Sequence, residues 1–98
     1  MPAAAIRWSA EAARDLEEIH AYIGRHSPRY AALTVGRLVD AVDHLAGFPA
    51  SGRVVPELGD PAVREVIHGA YRVVYEVAGD ALTVLTVFRA SRQFPLER

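Results

Sequence analysis

The sequence contains neither cysteine nor lysine. Without cysteine there is no disulfide and no thiolate zinc site, and a reducing cytoplasm is the natural setting. All 11 basic residues are arginine, which removes lysine from any mechanism. No apolar run approaches a membrane span, and the start MPAAAIRW lacks the apolar core of a signal peptide. A dominant charge is missing as well. The net charge is −1 with a pI of ≈ 6.4, so no global basic field steers the chain to nucleic acid. His20, His26, His44 and His68 stand in no metal-ligand spacing, and Asp40 with His44 reads as an exposed pair one helical turn apart. No serine lies in a nucleophile elbow, and Gly24 and Gly36 form no phosphate cradle. The expectation is therefore no metal and no cofactor.

What is present is a globular composition. The 98 residues are 51% hydrophobic, which suits one domain over 1–98 with a core of its own. Three β-rich runs dominate the second half: Val63–His68, Tyr71–Ala78 and Leu82–Phe88. Gly69-Ala70 and Gly79-Asp80 separate them, and breaks this short join only antiparallel neighbours. Alternation along the middle strand sets Tyr71, Val73, Tyr75 and Val77 on one side and Arg72, Val74 and Glu76 on the other. In the last strand it sets Leu82, Val84 and Phe88 against Leu85, Val87 and Arg89. The second face thus carries Val74, Leu85 and Val87, and either a further element of the chain covers it or a partner does.

Upstream, Ala4–Trp8 is a short apolar run that adds a strand to this meander, and Ser9 follows as a helix N-cap. Ala12, Leu16, Ile19 and Ile23 recur at helical spacing, while Asp15, Glu17 and Glu18 read as a solvated face. Ser27-Pro28 starts a second helix, with Ala31, Val35, Leu38, Val42 and Leu45 as its apolar stripe. Trp8, Tyr22, Tyr71 and Tyr75 are spaced as core residues. Residues 47–61 form the one long irregular stretch, with Val54, Val55 and Leu58 tacking it to the body. The expected fold is α+β: an N-terminal strand, an α-helical hairpin, then a three-stranded antiparallel meander, with the helices packed on one sheet face.

Arg72 is the residue that asks for an explanation. An unpaired guanidinium among apolar strand neighbours is costly and needs a carboxylate or an anion. One reading pairs it with Glu65 or Glu76; the other keeps it available to a partner, together with Arg89 and Arg92 at the end of the last strand.

The blocks RWSAEAARDLEEIHAYI, LAGFP, SGRVVPEL, VREV, GAYRVVYEV and LTVLTVFRASR, in that order, resemble the ParE/RelE superfamily of toxins from bacterial type II toxin–antitoxin systems. The resemblance spans nearly the whole chain. It implies the fold just given and a cognate antitoxin that covers Val74, Leu85 and Val87, in a toxin–antitoxin hetero-oligomer. RelE-like members are ribosome-dependent messenger RNA endonucleases, and ParE-like members poison DNA gyrase. If this chain were a ribonuclease, the resemblance would carry catalysis on Arg72, Arg89 and Arg92, with His68 as the one evident proton carrier. The first meander strand, however, offers Arg64 and Glu65 where a basic cluster is wanted, and Phe94 has no hydroxyl. The Arg-Glu dipeptide, the long hairpin and the short tail resemble the ParE side. The expectation is a cytoplasmic gyrase poison without its own catalytic site, using Arg72, Arg89, Arg92 and Phe94 toward its target. The alternatives are the ribonuclease, or a degenerate member that only binds its antitoxin.

Overall fold

Two serines set where the helices begin. The computed structural model describes residues 3–96. In it the Ser9 hydroxyl accepts from Ala12 N at 3.0 Å and opens α1, Ala10–Gly24. Ser27 accepts from Tyr30 N at 3.1 Å, and Pro28 begins α2, Pro28–Gly47. Before them lies β1, Ala5–Trp8, and after them a turn of 3₁₀ helix at Pro49–Ser51. The remaining strands are β2, Arg53–Val54; β3, Val63–His68; β4, Tyr71–Ala78; and β5, Ala81–Arg89.

The sheet has five strands in the order β1-β5-β4-β3-β2. The meander β3-β4-β5 is antiparallel as expected. Gly69 and Gly79 hold φ of +59 at the first central position of its two hairpin turns, as a II′ turn demands. β1 runs parallel to β5, from Ala5 opposite Ala81 to Trp8 opposite Val84. β2 was not expected. It is two residues inside the irregular stretch, paired antiparallel with Glu65 and Arg64, too short to leave a period in the sequence.

The helical hairpin packs on one face over Leu38, Val42, Leu45, Val73, Tyr75, Leu82 and Val84, all buried. Fully burying such a side chain is worth roughly 1.5–3 kcal/mol, which fixes the hairpin to the sheet. A second cluster fills the far face: Val55, Val63, Val74 and Phe88, with Leu58, Leu85, Phe94 and Leu96 against them. The irregular stretch and the tail thus roof the face that strand alternation left open.

One residue reorders that face. The β4–β5 register shifts between Val74, opposite Thr86, and Tyr75, opposite Val84, so Leu85 is an extra residue on β5. A bulge of this kind inverts which side every later residue faces. Val87 therefore joins the helix-side core, and Phe88 turns to the far face beside Val74. This corrects the strict alternation, which had put Val87 with Val74 and Phe88 with Leu82.

Beyond Val84, β5 has no β1 neighbour, and α1 supplies polar groups to that edge instead. Ser9 Oγ donates to Leu85 O at 2.9 Å, and Asp15 Oδ2 accepts from Val87 N at 2.9 Å and from Thr86 Oγ1 at 2.7 Å. Asp15 belongs to this edge rather than to a solvated helix face.

Tyr75 anchors the loop that follows α2. Its hydroxyl donates to Pro49 O at 2.7 Å and accepts from Gly52 N at 3.0 Å, and burial raises its pKa above the usual 10.0. A Cβ on Gly52 would lie 2.5 Å from the Tyr75 hydroxyl and 2.7 Å from Glu65 O, which is backbone and cannot yield. Gly52→Ala should cost about 1–3 kcal/mol by overpacking. Adding Tyr75→Phe should not recover the loss, because the Glu65 carbonyl clash remains. Denaturant melts of the single and double variants check both statements.

Candidate functional site

Adjacent residues on a strand point to opposite faces, so Tyr71 and Arg72 lead to two different places. On the far face, Arg72 lies at the centre of an ionic lattice. Nη1 and Nη2 grip Glu57 in a bidentate pair at 3.0 and 2.9 Å, and Nε donates to Glu65 Oε1 at 2.8 Å. Nη2 also contacts that same Glu65 oxygen. The other Glu65 oxygen meets Arg53 Nε at 2.5 Å. Two arginines and two glutamates balance, and the fully buried side chain of Glu65 has a guanidinium partner on each of its oxygens.

The Arg72 guanidinium also sits 5.2 Å from the ring of Phe88 and 5.2 Å from that of Phe94. These two rings meet edge to face at 5.8 Å. Of the two partners expected for Arg72, Glu65 is realised and Glu76 is not: Glu76 is exposed and makes no ion pair among the described residues. The second carboxylate is Glu57, from the irregular stretch. Phe94 is half-buried and serves this packing.

The hydrogen bond from Arg72 holds the Glu57 carboxyl below its ordinary 4.5, against a smaller opposing push from burial. Pairing with Glu57 first, and with Glu65, raises the Arg72 pKa above its usual value. For Glu57 the sign follows directly. The unfolded chain takes up this proton near 4.5 and the folded chain only at lower pH, so the stabilisation is whole above that value and fades as pH falls through the folded one. Because this side chain is partly exposed, solvent screens the pair and the effect is modest. Glu57→Gln should be less stable than the parent at neutral pH and lose less of its stability on acidification. Urea melts at the two pH values check it; parallel losses would refute the linkage.

The other candidates gather at the same end of the sheet but on its helix side, where Tyr71 pairs with both Arg89 and His68. Arg89 is exposed with its guanidinium 6.0 Å from the Tyr71 ring, and Arg92 N bonds Arg89 O at 2.9 Å in the turn that follows β5. Both line a groove of about 390 Å³ between α1 and the end of β5, walled by Tyr22 and Glu18. Tyr22 is 57% exposed with Arg25 stacked 4.9 Å from its ring centre, so it is a surface residue and not the core residue its spacing suggested. His68 is exposed at the end of β3 and shares with Arg89 a second cavity, of about 300 Å³. Arg89, Arg92 and His68 therefore form one rim, and Arg72 lies across the sheet from them.

The face expected to await a partner is largely sealed. Val74 and Val87 are 0% and 2% exposed, one under the far-face roof and the other in the helix-side core. Of the three side chains expected to meet an antitoxin, only Leu85 keeps partial exposure here. The α2 side of the rim was missed. Tyr30, Thr34 and Arg37, at offsets of four and three, line the second cavity together. That spacing was the available signal.

Among the described residues no cluster of three or more His, Cys, Asp or Glu side chains is placed to hold a metal ion, and no helix is long and apolar enough to cross a membrane.

Residues 6–94 match the family described as ParE toxin of type II toxin–antitoxin system, parDE. Y4kP of Sinorhizobium fredii, named as a toxin, is 38% identical over 92 residues, 92% of each chain. Toxin RelE2 of Caulobacter vibrioides is 34% identical over 90 residues, 91% of this chain and 98% of that protein. Among solved structures, the chromosomal ParDE system of P. aeruginosa superposes with a TM-score of 0.71 at 25% identity, over 88% of this chain and 95% of that one. The RelBE2 toxin–antitoxin complex of Mycobacterium tuberculosis gives 0.62 at 21% identity, over 89% and 98%, a likeness of fold alone.

Proposed function

The chain belongs to the ParE toxins of type II toxin–antitoxin systems, and from that premise we propose that it inhibits growth by binding and poisoning DNA gyrase in the cytoplasm, without a catalytic site of its own. A cognate antitoxin neutralises it. One observation carries the choice of binding over cleavage: the arginine candidates do not converge. Cutting messenger RNA needs a base for the 2′-hydroxyl, an acid for the leaving oxygen and cations on one phosphate. Arg72 is committed to Glu57 and Glu65 beneath Phe94, while Arg89, Arg92 and His68 lie on the other side of the sheet. A phosphate held by the rim is out of reach of Arg72. Target contacts accordingly fall to the rim, with Arg89 and Arg92 as their cations, and Arg72 and Phe94 support the fold beneath.

Induction of the toxin should raise the DNA-damage response before protein synthesis falls. The purified protein should trap gyrase-cleaved DNA and leave messenger RNA whole on translating ribosomes. Cleavage of the message in the ribosomal A site would overturn the proposal in favour of the ribonuclease. Growth unaffected by a folded, antitoxin-binding protein would leave the degenerate member.

A further inference from the structure

The cavity of about 300 Å³ that α2 forms with the β3–β4 turn is lined by Tyr30, Thr34, Arg37, His68, Tyr71 and Arg89, and no carboxylate among the described residues lines it. Neither Arg37 nor Arg89 makes an ion pair with any described residue. Asp40, one turn beyond Arg37 and on the adjoining groove, is not within ion-pair distance of it. Two arginines without a carboxylate partner among the described residues, a histidine, Tyr30 and Thr34 thus line one small space. In a protein of net charge −1 this is a local concentration of donors that the overall composition hides.

We propose that this cavity is a phosphate-binding site for a nucleotide, free or within a nucleic-acid strand. The donor set decides between anions. A single carboxylate presents two oxygens and one negative charge, which one bidentate arginine satisfies. Two arginines with hydroxyl and imidazole donors match the larger charge and the additional oxygens of a phosphate. The volume lies at the lower end for ligand pockets, suiting one phosphate and part of what it is attached to. Tyr30 is 55% exposed at the mouth, where its ring can stack on a base without sequence preference. The assignment stands whichever target the toxin poisons.

The test is a nuclear magnetic resonance titration of the whole chain with adenosine monophosphate, inorganic phosphate, a short single-stranded DNA and a glutamate-rich peptide. Adenosine monophosphate should shift the amides of Gly69, Ala70 and Tyr71, more tightly than inorganic phosphate does. Arg37→Gln and Arg89→Gln should each weaken binding by about tenfold. Arg14→Gln, on exposed α1 surface, should not change it. Tighter binding of the DNA than of the mononucleotide would assign the site to a strand, and equal binding to a free nucleotide. The proposal is overturned by no shift at the turn, by equal sensitivity to Arg14→Gln, by phosphate binding as tightly as the nucleotide, or by binding of the acidic peptide alone.

Discussion

Arg72→Ala is expected to cost about 3–5 kcal/mol and to leave the chain poorly folded. Removing one partner of a buried ion pair leaves the other charged and dry, and that penalty exceeds the value of the pair itself. Glu65 is the group left behind: its side chain is fully buried, and its remaining partner is Arg53, whose own side chain is 62% exposed. Glu57, at the surface, rehydrates at little cost. The two phenylalanine rings also lose the cation between them, which loosens the tail over the far-face core. Domains of this kind are held by roughly 5–15 kcal/mol, so the loss is a large share of the whole. A variant that also replaces Glu65 with Met removes the stranded charge and should regain a substantial part of it. Chemical denaturation of the two decides the point. A single variant within about 1 kcal/mol of the parent would mean the lattice is not what holds Arg72 in place.

The Arg89→Ala, Arg92→Ala double variant should do the opposite: fold normally, bind antitoxin and lose most growth inhibition. Both side chains are exposed and neither makes an ion pair among the described residues, so each removal costs at most about 1 kcal/mol of stability. What disappears is the positive charge of the groove between α1 and the end of β5. Melting curves, antitoxin pull-down and growth after induction are the readouts. Full toxicity from a well-folded double variant would remove these arginines from the target surface.

The contrast between these two experiments follows what could be read in the sequence and what could not. Ser9, Ser27-Pro28 and the two glycine turns mark element ends through local chemistry, and the helices and meander lie where those signals place them. The extra residue at Leu85 has no local signature, because LTVLTVF alternates equally well with or without a bulge. One undetected residue exchanged Val87 and Phe88 between faces, and with them the apparent open surface. Glu57 was hidden for a different reason. It reaches Arg72 from a loop 15 residues away, and nothing in loop composition says which carboxylate will fold back. Arg89 and Arg92 were legible as candidates because they end a strand. Arg37 was not, since one arginine on a polar helix face looks like any other.

The pairing of β1 with β5 has a consequence for how the protein comes into being. Ala5 lies opposite Ala81, and Ser9 reaches Leu85 across 76 positions of sequence. During synthesis β1 emerges before the other described strands of the sheet, but its neighbour β5 is the last of them to appear. The helical hairpin can form early from local contacts, yet the surface it must cover is built from Val73, Tyr75, Leu82 and Val84, still unmade at that stage. Contacts this distant in sequence close slowly, because the entropy of joining the ends is lost before any burial compensates it. A nascent chain stalled before Ala81 therefore has no place to set its N-terminal strand. The strand made before the others must wait for the strand made after them.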